Sequence, residues 1–90
     1  MNNSIRGTLF FDERGLRVVT LKEARAARLL TMRELAEQAG VAPSTVYLIE
    51  HGRTVPQFSV IRRLADALEV KPAEIEEFAA AIEERGKEAA

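Results

Sequence analysis

The stretch LAEQAGVAPSTVYLIEHG, Leu35 to Gly52, reads as a helix, a sharp turn at Gly40 and a second short helix. Leu35, Ala36 and Ala39 fall on one helical face before Gly40 supplies the left-handed residue that ends it. Pro43 suits the first turn of the next helix because it has no N–H to leave unsatisfied, and the run to His51 stops at Gly52. Val41 and Val46 are expected as buried pins where the two helices cross, with Ile49 anchoring the second. What remains outward on that helix is Pro43, Ser44, Thr45, Tyr47 and Leu48.

The flanks carry helices of their own. Thr20-Leu21-Lys22-Glu23 is a capping box, in which hydroxyl and carboxylate each take a free N–H at a helix start. It opens a first helix to about Leu29. Thr31-Met32-Arg33-Glu34 repeats the device and fixes where the Leu35 helix begins. Downstream, Phe58, Ile61, Leu64, Ala65 and Leu68 form a stripe that predicts a helix over 57–68. Pro72 is expected to start a last helix with Ile75, Phe78, Ala79 and Ile82 on one face, fraying around Gly86. Upstream, TLFFDERGLRVV, residues 8 to 19, has two β-forming runs around Asp12-Glu13-Arg14-Gly15 and predicts a β-hairpin closed at Gly15. A lone hairpin is marginal in water, so Leu9, Phe10, Phe11, Leu16, Val18 and Val19 require cover from the helices or a second subunit. The expected organisation is an N-terminal arm over 1–19, a helical domain over 20–82 and a charged tail over 83–90.

Ninety residues suffice for one hydrophobic core and no separate sensor or catalytic domain. With no cysteine, disulfides and thiolate metal sites are excluded, and a reducing cytoplasm fits. No apolar run approaches the roughly 20 residues needed to span a bilayer. The net charge of −1 argues at first against a nucleic-acid partner, yet charge is segregated along the chain. Thr20 to Ala65 holds seven basic residues (Lys22, Arg25, Arg28, Arg33, Arg53, Arg62, Arg63) against four acidic ones. From Asp66 onward eight acidic residues face only Lys71, Arg85 and Lys87. That asymmetry fits one face meeting DNA and another turned away, as well as ordinary solvated helix surfaces. No nucleophile–base constellation, glycine-rich phosphate loop or metal-ligand spacing is present, and His51 is the sole histidine. No enzyme activity, cofactor or metal is expected.

The pattern resembles the phage Cro/repressor-like (Xre-type) helix-turn-helix DNA-binding family. The matching positions are Arg25, Leu35-Ala36, Ala39-Gly40-Val41, Ser44-Thr45-Val46, Ile49-Glu50 with Gly52, Pro56, Leu64-Ala65, Ala67-Leu68 and Val70. The resemblance implies an all-α fold, a five-helix repressor-like bundle, here with an added N-terminal β-hairpin. It implies a homodimer that places the third helix in the major groove of a pseudo-palindromic operator. Carried onto this sequence, base contacts fall on Pro43, Ser44, Thr45 and Leu48. Phosphate contacts fall on Thr31, Met32, Arg33, Tyr47, His51, Arg53 and Thr54, and Arg25 with Glu50 forms a structural ion pair. Two departures matter. Met32 and Ala42 stand where glutamine and a hydroxyl residue are usual, and Pro43 to Leu48 lacks Arg, Asn, Gln and Lys, the side chains of bidentate base contacts. Modest sequence discrimination, partly through DNA shape, is therefore expected.

Some residues keep two readings. Tyr47 sits over a phosphate or half-buried against the second helix; Arg62 and Arg63 reach the backbone or line a solvated face. Two functions likewise compete: a DNA-binding transcriptional regulator, or an antitoxin or adaptor that holds a protein partner, such as a toxin, with the same bundle. The arm and the last helix are the alternative dimer interfaces.

Overall fold

The computed structural model describes residues 10–11 and 17–89. Helix α1 spans Leu21–Ala27 and α2 spans Met32–Ala39, each opened by its capping box: Thr20 Oγ1 accepts from Glu23 N–H at 3.0 Å, and Thr31 Oγ1 from Glu34 N–H at 3.0 Å. The glutamates return the bond to the threonine N–H groups at 2.9 Å. α1 ends two residues earlier than the sequence predicts. Leu29 adopts a left-handed φ of 59°, which lets Leu30 N–H reach the Arg25 carbonyl at 3.2 Å and turns the chain into α2. No glycine marks that turn, and Leu29 stands 90% exposed.

α2 closes at Gly40, whose φ is +75°, with Val41 N–H on the Ala36 carbonyl at 3.0 Å. α3 follows over Pro43–Glu50, and α4 over Phe58–Leu68. α2 packs on both. α2 contributes Leu35, Ala36 and Ala39 to the core, α3 Val46 and Ile49, α4 Ile61, Leu64, Ala65 and Leu68, and α1 Leu21 and Ala24. Val41 is half-buried against this core, and Phe58, expected in the α4 stripe, is 43% exposed.

The C-terminal segment departs most from expectation. Pro72 does not start the last helix; Pro72–Glu74 is a single 3₁₀ turn, and Ile75 is extended. Val19 explains the interruption. It forms a parallel bridge with Ile75, its N–H donating to the Glu74 carbonyl at 2.9 Å and its carbonyl accepting from Glu76 N–H at 2.8 Å. Those bonds satisfy the backbone on either side of Ile75 and hold it out of the helical ladder. α5 then spans Glu76–Ala89, continuing through Gly86 and across the expected tail boundary at 83. Ile75, Phe78 and Ala81 are buried, while Ile82, placed on the apolar face by the sequence, is 38% exposed.

Of the arm, strand β1 (Phe10–Phe11) pairs antiparallel with β2 (Arg17–Val18), Phe10 opposite Val18 and Phe11 opposite Arg17. The turn expected at Asp12 to Gly15, and Leu9 and Leu16, lie outside the described residues.

Candidate nucleic-acid interface

The pose of α3 is fixed from beneath. Val46 and Ile49 are 0% and 1% exposed, and Glu50 carries a carboxylate into the bundle to meet Arg25 of α1. Arg25 Nε donates to Glu50 Oε2 at 2.6 Å and Nη2 to Oε1 at 3.0 Å, a bidentate pair whose side chains are 12% and 2% exposed. Nη1 donates to the Leu30 carbonyl at 2.9 Å. One guanidinium thus ties α3 to α1 and to the link into α2. The hydrogen bond to Glu50 raises the Arg25 pKa above its ordinary value against the opposing effect of burial, so the cation persists at every working pH.

On the opposite side of α3, Pro43 and Ser44 are exposed, Thr45 is half-buried, and Tyr47 and Leu48 are 45% and 38% exposed. All four base-reading positions inferred from the sequence therefore reach the surface. Ala42 occupies the N-cap and gives no side-chain oxygen to the first turn. Thr45 N–H bonds to the Ala42 carbonyl at 3.0 Å, and the Ser44 N–H has no partner among the described residues. An exposed helix start of this kind suits an anionic oxygen.

The expected phosphate positions divide into two groups. At the start of α2, Thr31 and Arg33 are exposed; the Thr31 oxygen is committed to its cap, but its O–H remains able to donate. Met32 instead packs its side chain against the core. After α3, Arg53 and Thr54 are exposed. The Tyr47 and His51 rings stack with centroids 4.0 Å apart and planes 23° apart, and His51 Nδ1 donates to the Tyr47 carbonyl at 2.9 Å. His51 is exposed, and that bond leaves Nε2 without a partner among the described residues. Thr45, Leu48 and Thr54 line one cleft, so positions expected to read bases and one expected to meet phosphate share a surface there; Thr31, Met32 and Arg33 are not part of it.

Arg62 and Arg63 are both exposed, and Arg63 Nη1 donates to the Gly40 carbonyl at 3.1 Å, closing the turn between α2 and α3. Sequence reasoning missed that bond and three more made by α5. Glu77 of α5 accepts the Leu21 N–H at 2.8 Å, and Arg85 of α5 donates to the Val55 and Pro56 carbonyls. Each joins residues far apart in the chain, so no local pattern announces them. Burial raises the Glu77 pKa above the ordinary carboxylate value, and the Leu21 N–H opposes that shift in part.

Among the described residues no cluster of three or more His, Cys, Asp or Glu is placed to hold a metal ion, and no helix is long and apolar enough to cross a membrane. The helix-turn-helix domain family model matches residues 18–78, which run from the end of β2 to Phe78. Searches of the curated proteins and of the solved structures return no match to the chain. The matched segment contains α1 to α4 and the turn at Gly40 that sets α3 across α2, the arrangement by which such domains present a recognition helix to DNA. The chain belongs to the helix-turn-helix domain family.

Proposed function

We propose that this chain is a transcriptional regulator of the Cro/repressor-like (Xre) type: a homodimeric repressor that binds double-stranded DNA with α3 in the major groove. The observation that carries the reading is the division of α3 into two faces. Val46, Ile49 and the Arg25–Glu50 pair lock one face into the bundle, which leaves Pro43, Ser44, Thr45 and Leu48 on the other. In this reading Ser44 and Thr45 hydroxyls meet base edges, and Pro43 and Leu48 touch thymine methyl groups. Thr31, Arg33, Arg53, Thr54 and the His51–Tyr47 stack position the phosphate backbone, with Met32 contributing through its main chain. Binding, not catalysis, is the activity, in the cytoplasm and with no cofactor. The two-fold mate is held through the N-terminal arm or through α5.

Footprinting on a duplex from the chain's own upstream region tests this directly. A dimer protects two half-sites about 34 Å, one helical turn, apart. A single protected patch removes the dimer, and uniform weak protection removes sequence-selective binding.

A second reading, an antitoxin or adaptor with a protein partner, is favoured by Val55, Phe58 and Ile82, which are 44%, 43% and 38% exposed on the helical domain. It is not exclusive of the first, since one bundle has room for both surfaces. Co-purification with the product of an adjacent toxin-like reading frame, in place of operator binding, would establish it.

A further inference from the structure

Arg85 lies on α5, beyond the segment 18–78 that carries the family match. Its half-buried side chain donates from Nε to the Pro56 carbonyl at 2.8 Å and from Nη2 to the Val55 carbonyl at 2.6 Å. These are consecutive carbonyls in the loop between α3 and α4. The ends of that loop are tied to helices: Arg53 N–H bonds to the Leu48 carbonyl at 2.8 Å, and the Gln57 carbonyl takes the Ile61 N–H at 2.9 Å. Between them, the backbone of Thr54, Val55 and Pro56 makes no other hydrogen bond among the described residues. Proline has no N–H to offer, and Thr54 and Val55 are exposed. The middle of the loop is therefore held by the burial of Pro56 and by the planar fork of one arginine, whose fixed donor geometry suits two neighbouring carbonyls. Arg85 also borders the cleft of about 230 Å³ lined by Thr45, Leu48 and Thr54.

We propose that Arg85 is a positioning residue for the DNA interface: it sets the path of residues 53–57 so that Arg53 and Thr54 meet the phosphate backbone beside α3. The proposal rests on the DNA-binding reading above and extends the interface to a residue outside the family segment. Arg85 acts through the loop, with two of its five N–H donors held by the Val55 and Pro56 carbonyls.

The test compares the whole chain with Arg85→Ala and Arg85→Lys, first without DNA. Loss of the fork is expected to lower the ¹⁵N order parameters of Arg53, Thr54, Val55 and Gln57 from the rigid range near about 0.85 toward about 0.6, with cooperative unfolding retained. Affinity for the footprinted duplex should then fall about tenfold, and Arg85→Lys, whose ammonium reaches one carbonyl, should regain part of it. Arg53→Ala should cost much less affinity in the Arg85→Ala background than in the parent, because the two act through one loop. Unchanged order parameters overturn the clamp. Additive losses with a salt slope lower by about 0.9 overturn it differently, by making Arg85 a phosphate contact itself. If the parent binds no duplex, the DNA reading fails and takes the role of Arg85 with it, a failure distinct from an unmoved loop. Should Arg85→Ala prove unfolded, Arg85→Gln, which keeps the stem and one donor, carries the same comparison.

Discussion

Removing one partner of the Arg25–Glu50 pair should destabilise the bundle far more than removing both. In Arg25→Met the thioether fills the volume of the lost stem, but the Glu50 carboxylate, 2% exposed, is left with no cation and with Glu77 nearby. Breaking a buried pair from one side costs about 3–5 kcal/mol, whereas an apolar replacement of the whole pair is often close to neutral. Glu50→Leu strands the guanidinium, which is 12% exposed and keeps the Leu30 carbonyl, so its cost belongs at the lower end. The double variant Arg25→Met/Glu50→Leu loses only the bond to Leu30 and should lie within about 1–2 kcal/mol of the parent. For a domain of this size each kcal/mol moves the midpoint by about 4–8 °C, so the single variants should melt roughly 12–40 °C lower. Urea and thermal unfolding of the four proteins give the coupling energy. Single substitutions that each cost under about 1 kcal/mol, or a double variant that equals their sum within about 0.5 kcal/mol, would refute the argument.

Gly40→Ala should cost about 1–2 kcal/mol through backbone conformation alone: φ is +75°, while the nearest atom to an added methyl is Arg63 Nη1 at an ordinary 3.6 Å. A variant as stable as the parent in urea would mean the turn relaxes to another conformation. Ala42→Ser supplies the missing cap of α3 and should stabilise by about 1 kcal/mol in the same assay, with no gain counting against the N-cap account. Glu77→Gln keeps an acceptor for the Leu21 N–H and removes a carboxylate whose folded-state pKa is raised. The folded chain then holds that proton more tightly than the unfolded one, so the group's contribution is complete below the ordinary carboxylate range and is lost as pH rises through the raised value. The parent should lose stability relative to Glu77→Gln as pH rises from that range toward neutrality; parallel pH profiles would exclude the effect.

The centre of the fold was legible because its signals are local. Two capping boxes, Gly40, Pro43 and the apolar faces of Leu35 and Ile61 each constrain a few neighbouring residues, and α2, α3 and α4 begin and end within a residue of where those signals put them. The misplaced boundaries are those decided by contacts at a distance. α1 stops before Leu29 through a left-handed leucine that no sequence rule favours, and the last helix starts late because Val19 claims the backbone flanking Ile75. The surface of α3 followed from periodicity, since burying Val46 and Ile49 forces Ser44, Tyr47 and Leu48 outward. The packing of Met32 against the core, where the resemblance has glutamine, depends on tertiary contacts that the local pattern does not carry. The links from Arg63, Glu77 and Arg85 join segments distant in sequence and left no trace in periodicity or composition.

Selective duplex binding through α3 is measured by fluorescence-anisotropy titration of the protein against a duplex from its own upstream region and a scrambled duplex, at several salt concentrations. Binding to the upstream duplex should be at least about a thousandfold tighter than to the scramble, with affinity falling by several powers of the salt concentration. Weak and equal binding to both duplexes would contradict it.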